Sequence, residues 1–137
     1  MKTRLIRALS ALLCLSCLIT LAACQRTENR VTAVAETFLN AYYTADYQRA
    51  SEVCTPTFAA QVSKDAEMGN RIPAEIAQKI KEAVSRTSFN IVSVAVDKEA
   101  GKALVRYELL VPGLEKPVPK KLRLQLEGRT AQVDGIE

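Results

Sequence analysis

The chain has 137 residues, 48% of them hydrophobic and 25% charged, with no His and no Trp. That length supports one domain, and the missing His excludes Ser-His-Asp and Cys-His nucleophilic sites and His-ligated zinc. Much of the net +4 charge comes from Lys2, Arg4 and Arg7; the remainder carries 16 basic against 15 acidic residues, and so balanced a body argues against a nucleic-acid partner.

The chain opens with a positive stretch, Met1 to Arg7, and an uncharged apolar run from Ala8 to Ala23. That order is the signature of an export signal. The run covers only about 16 residues, against roughly 20 needed to cross a bilayer. It ends in Leu21-Ala22-Ala23-Cys24, which resembles the Leu–small–small–Cys box of bacterial lipoproteins. The resemblance implies cleavage between Ala23 and Cys24 and acylation of the Cys24 thiol. Residues 1–23 are then a signal peptide and residues 24–30 a lipidated tether. At roughly 3.3 Å per residue, seven extended residues reach about 20–25 Å. Gln25 follows the Cys; in Gram-negative sorting, a residue other than Asp there implies the outer membrane, facing the periplasm.

The cysteine count follows from this reading. Cys14 and Cys17 form a C-x-x-C pair inside the discarded segment, and Cys24 is acylated. Cys54 is then the one thiol of the mature chain, without an intrachain partner.

Residues 31–137 read as a single domain. Val31, Val34, Ala35, Phe38, Tyr42 and Ala45 repeat at helical spacing and form an apolar face, with Leu39 and Tyr43 as a flanking stripe. Asp46 is placed to cap a short helix over Tyr47–Cys54. Thr55-Pro56 repeats the signal, Thr as cap and Pro in the first turn, for a helix to about Lys64. Asp65 to Asn70 reads as a loop. Pro73 opens a further amphipathic helix to Arg86, with Ile76, Ile80, Ala83 and Val84 as its apolar stripe.

The period then changes to two. Strands are predicted over Ile91–Val96, Ala103–Val111, Val118–Glu127 and Thr130–Ile136, with turns at Asp97–Lys102, Pro112-Gly113 and Gly128. Connections this short require antiparallel neighbours. Helices followed by a meander define an α+β fold, with the helices packed on one face of an antiparallel sheet.

The segment Phe38 to Phe58, FLNAYYTADYQRASEVCTPTF, with the meander after it, resembles the nuclear transport factor 2-like superfamily, the cystatin-like cone, and within it small bacterial lipoproteins. The Gly-x-Trp of that pattern is reduced here to the Gly of Glu127-Gly128-Arg129. The resemblance implies a curved sheet around the long helix, an apolar cavity, and dimerisation through the open sheet face. Enzymes of the superfamily use a carboxylate or an Asp-His pair inside the cone, and no motif here carries such residues over.

Tyr42, Tyr43, Tyr47, Phe58 and Tyr107 are candidates to line a cavity that stacks a flat ligand; core packing explains the same spacing. Leu104, Arg106, Glu108 and Leu110 form the outer face of their strand, a mixture suited to a homodimer or to an envelope protein partner. Asp65 and Glu67 are too few to hold a cation. Lys116, Lys120, Lys121 and Arg123 suit either protection of an edge strand or contact with anionic headgroups. No catalytic residue, metal or cofactor is expected. The sequence therefore describes a lipid-anchored, non-catalytic binding or interaction module of the cell envelope. The alternatives are a small isomerase or hydratase with a buried carboxylate, and a periplasmic inhibitor or immunity-type lipoprotein.

Overall fold

The computed structural model describes the backbone of residues 2–137 and the side chains of residues 22–137. Expectations about the side chains of the leader up to Leu21, including Cys14 and Cys17, lie outside the described residues. Four helices precede four strands: α1 (Lys2–Tyr42), α2 (Tyr47–Glu52), α3 (Pro56–Asn70), α4 (Ala74–Ser85), β1 (Ser88–Asp97), β2 (Lys102–Leu110), β3 (Val118–Glu127) and β4 (Thr130–Ile136). The strands form one antiparallel sheet in the order β1-β2-β3-β4. The fold is α+β, as the change of period requires.

Helix α1 lies against β1, β2 and β4 and also contacts α2. Its residues Val31, Ala35, Phe38 and Leu39 are fully buried, and Ala41 nearly so. Leu39 thus belongs to the core and not to a flank. Two layers cover α1, the sheet and the α2–α3 pair, so more than one stripe is buried. The helix also includes Cys24–Arg30. The expectation of an extended tether is corrected: a helix rises about 1.5 Å per residue, so Cys24 stands only about 9 Å along the axis from Arg30.

The end of α1 differs from the predicted stripe. Ala45 is exposed and adopts φ 61°. Asp46 N–H donates to the Ala41 carbonyl at 2.9 Å and Ala45 N–H to Tyr42 at 3.2 Å. This is the Schellman closure, in which a left-handed residue lets the chain turn back onto free carbonyls. Asp46 then accepts from Arg49 N–H at 3.3 Å and caps α2, which ends at Glu52, short of Cys54. Thr55 caps α3 through Phe58 N–H. Helix α3 continues through the predicted loop to Asn70; Asp65 and Glu67 are helical.

Helix α4 is the largest departure. Its stripe is present, yet none of its residues is buried, and Ile76 and Ile80 are 51% and 44% exposed. Amphipathic spacing establishes that a helix has an apolar face; it does not establish that this chain covers it.

Two bulges keep the inner face of the sheet apolar. In β1, Phe89 and Ile91 pair with Leu109 and Tyr107, whereas Val94 and Val96 pair with Val105 and Ala103; Val92 is the extra residue and is 57% exposed. Without it, the inward set would pass to Ser93 and Ala95. In β4 the extra residue is Asp134, between Val133 opposite Leu124 and Gly135 opposite Arg123. Edge strand β4 is covered by the α2–α3 connection. Thr55 N–H donates to the Val133 carbonyl, and Val133 N–H to the Val53 carbonyl, both at 2.8 Å. Strand β3 is paired on both sides from Lys121, which exchanges backbone bonds with Glu137, so Lys121 and Arg123 do not protect an edge. Arg123 instead lies over Gly135 and pairs with Glu137 at 3.3 Å.

Candidate functional site

The five aromatic residues proposed as cavity lining are brought together, but they pack on one another. Phe38 bridges Tyr42, stacked at 5.3 Å between centroids, and Phe58, tilted at 5.9 Å. Tyr42 meets Tyr43 and Tyr47 edge-on at 5.4 and 5.6 Å, and Tyr43 meets Tyr107 at 6.4 Å. Such separations are those of favourable aromatic pairs. The rings fill the layer between α1, α2–α3 and the sheet.

Their hydroxyls satisfy each other. Tyr43 and Tyr107 share a hydrogen bond of 3.0 Å, and Tyr42 donates to Asp65 at 3.2 Å. Gln61 holds the second Asp65 oxygen at 3.3 Å. Burial raises the Tyr42 hydroxyl above the ordinary phenol range, and the carboxylate beside it raises it further. Burial also raises Tyr107 and Tyr43; the shared bond adds to the first effect and opposes the second. These groups keep their protons at neutral pH: Tyr42 donates to Asp65, and one of Tyr43 and Tyr107 donates to the other. Sequence reading missed Asp65 as the Tyr42 partner because it placed the residue in a loop. Its spacing of four from Gln61 was the available signal.

On the far side of the sheet, a cleft of about 330 Å³ runs over Ala95, Leu104, Leu124, Gln125 and Asp134, with Lys102 and Arg123 among its walls. It arises because Ala95 and Arg123 flank Leu104 across the ladders. Of the proposed interface residues, the structure places Leu104 in this cleft. Leu110 lies at the other end of the strand, 46% exposed, about 20 Å away at the usual strand rise. Arg106 and Glu108 separate the two. The outer face therefore carries a cleft at one end and an exposed apolar end at the other.

Two further carboxylates are held by local bonds. Asp97 accepts from Ala100 N–H at 3.0 Å and shapes the hairpin turn; Asp134 accepts from Thr55 Oγ1 at 3.1 Å. Among the described residues no cluster of three or more His, Cys, Asp or Glu is arranged to hold a metal. Cys54 is buried, and burial pushes its thiol up to about 12. Cys24 is exposed on α1. Among the described residues no helix is long and apolar enough to cross a membrane.

No family model and no curated protein matches the chain. Two solved structures are similar to it. One is a protein of unknown function with a cystatin-like fold from Methylobium petroleophilum PM1, 15% identical over 78% of this chain and 74% of that one, with a TM-score of 0.46. The other is an NTF2-like protein of unknown function from Cytophaga hutchinsonii ATCC 33406, 12% identical over 78% of this chain and 88% of that one, with a TM-score of 0.39.

Proposed function

We propose that this chain is a lipid-anchored, non-catalytic binding module of the bacterial cell envelope, acting through the outer face of its sheet. The observation that carries the binding reading is the division between the two sheet faces. The inner face is filled by rings and aliphatic side chains whose polar groups are paired. The outer face carries the Leu104 cleft, open to solvent and mixed in polarity. A binding module needs a rigid, accessible face; an isomerase or hydratase needs a carboxylate inside a solvent-connected interior. The anchor reading rests on Leu21-Ala22-Ala23-Cys24, and Gln25 favours the outer membrane in a Gram-negative host. Two or three acyl chains hold a protein on a membrane almost permanently, at about 0.8 kcal/mol per buried CH₂.

The test uses the protein as cells make it. Intact-mass measurement is expected to show a chain beginning at Cys24 and carrying acyl groups, and Cys24→Ser to remove it from the membrane fraction. Sedimentation and cross-linking in the membrane are expected to show self-association or a protein partner, lost in Leu104→Glu while the thermal transition is retained. An unmodified Cys24 removes the anchor. A strict monomer whose cross-links are unchanged by Leu104→Glu removes the outer face as the working surface.

A further inference from the structure

The topology gathers cations at one end of the molecule. Arg26 and Arg30 lie four residues apart on α1 and so share a helical face. Lys98 sits in the β1–β2 hairpin and Arg129 in the β3–β4 turn. In an antiparallel meander alternate turns fall at the same end of the sheet, here the end toward which the first part of α1 points. Ala22, Ala23, Arg26, Thr27, Arg30, Lys98, Gly128 and Arg129 line one open pocket of about 470 Å³, with no carboxylate residue in its wall; cleavage before Cys24 removes the two alanines and opens that wall, leaving the four cations in place. A smaller pocket of about 250 Å³ continues it along Thr27, Arg30, Lys98 and Gly128. The one ion pair among the described residues is Arg123 with Glu137, elsewhere on the sheet. These four cations therefore have no anionic partner within 4.0 Å among the described residues.

We propose that this pocket binds the phosphate of an anionic phospholipid headgroup in the membrane that holds Cys24. The inference rests on the anchor reading, and three observations support it. Cys24 precedes Arg26 by two residues on the same helix, about 3 Å along its axis, so an acylated Cys24 holds the pocket at headgroup depth. The chain after residue 23 is nearly neutral, with 16 basic and 15 acidic residues, and although Asp97, Glu99 and Glu127 belong to the same two turns, none of them lines the pocket. Cleavage before Cys24 also makes it the start of α1, and the free N–H groups of the first turn then add positive potential at that end. The Lys116, Lys120 and Lys121 group, considered for this role from sequence, lies toward the opposite end: Lys120 pairs with Tyr107, whereas Gln125 pairs with Lys102 beside the hairpin. Acyl chains supply the hold, and the pocket fixes which face of the domain meets the bilayer.

The probe is phosphatidylglycerol against phosphatidylcholine, offered in equal amounts in neutral detergent micelles to the mature protein. Native mass spectrometry reads the bound lipid. Phosphatidylglycerol is expected to be retained on the order of tenfold over phosphatidylcholine. The preference is expected to disappear in the variant Arg26→Gln, Arg30→Gln, Lys98→Gln, Arg129→Gln. The turn pair Lys98→Gln with Arg129→Gln leaves α1 untouched and is expected to lower it several-fold, which keeps the test valid if the fourfold variant misfolds. A second fourfold variant, Arg71→Gln, Lys79→Gln, Lys81→Gln, Arg86→Gln, removes the same charge around α4 and is expected to keep the preference. Equal retention of both lipids, or equal loss in both fourfold variants, overturns the site. Displacement of the lipid by an equal concentration of inorganic phosphate overturns the headgroup as the ligand. The intact mass of the same sample separates the two readings. An unmodified Cys24 with the preference kept removes the anchor alone; an acylated Cys24 without the preference removes the pocket alone.

Discussion

Ala45 occupies the left-handed position that ends α1, at φ 61°. A Cβ there costs roughly 1 kcal/mol against Gly, which adopts this region freely. Ala45 is exposed and contributes no core packing to offset that cost. Ala45→Gly is therefore expected to stabilise the domain by about 0.5–1 kcal/mol, read as a higher denaturation midpoint with an unchanged slope. The gain is moderated by the greater freedom of Gly in the unfolded chain. A lower midpoint would show that Ala45 does not hold the strained conformation.

Cys54 makes the complementary case, a group whose ionisation is shifted by burial. Its thiol ionises at an ordinary value of 9.0 when unfolded and is pushed up to about 12 when folded. The folded state thus favours the protonated form. Its stabilising contribution is complete below about pH 9 and is lost as pH rises from there toward about 12. The melting temperature is expected to fall as pH rises above 9, with part of that fall removed in Cys54→Ala. A thiol reagent is expected to find Cys54 unreactive in the folded protein and reactive after denaturation.

At the scale of elements, α3 and α4 show what amphipathic spacing does and does not establish. Helix α3 buries Val62 and joins the core through Phe58 and Ala59. Helix α4 has the cleaner stripe and buries nothing. Replacing Ile76 and Ile80 together by Glu is expected to leave stability within about 0.5 kcal/mol per site, the usual range for surface positions. A loss of several kcal/mol would place α4 against the core. Thr55 illustrates the opposite case. Its side chain caps α3 and bonds the Asp134 bulge, and its backbone N–H pairs with Val133, so one residue ties α3 to β4. Thr55→Ala is expected to cost about 1–3 kcal/mol, from the lost cap and the lost bond to half-buried Asp134. Asp46→Ala removes an exposed cap alone and is expected to cost less; denaturation of both variants checks the order.

For the whole molecule, stability depends on α1 resting on the sheet while α2–α3 close over it. Phe38 is the side chain where these layers meet. It is fully buried and touches both Tyr42 and Phe58. Phe38→Ala is expected to destabilise by about 3–5 kcal/mol, a large share of a total near 5–15 kcal/mol. An unchanged midpoint in denaturant would remove α1 from the centre of the fold.

The sequence by itself determined the α+β class, all four strands, the three turns, the caps Asp46 and Thr55, and the inward set Ala103, Val105, Tyr107 and Leu109. Each is a local or periodic signal: a hydroxyl or carboxylate before a helix, Gly at a turn, alternation along a strand. Tertiary structure alone decided that Leu39 is core, that Asp65 holds Tyr42, that the aromatic residues fill the interior, and that α4 keeps its apolar face uncovered. It also brought Arg26, Arg30, Lys98 and Arg129 to one end. These outcomes depend on which elements meet, and residues in different elements, from the 23 positions between Tyr42 and Asp65 to the 103 between Arg26 and Arg129, carry no periodicity that relates them. The two bulges lie between these cases. The alternation on either side of Val92 is visible in the sequence, but the residue displaced from the ladder is settled only by its pairing with β2.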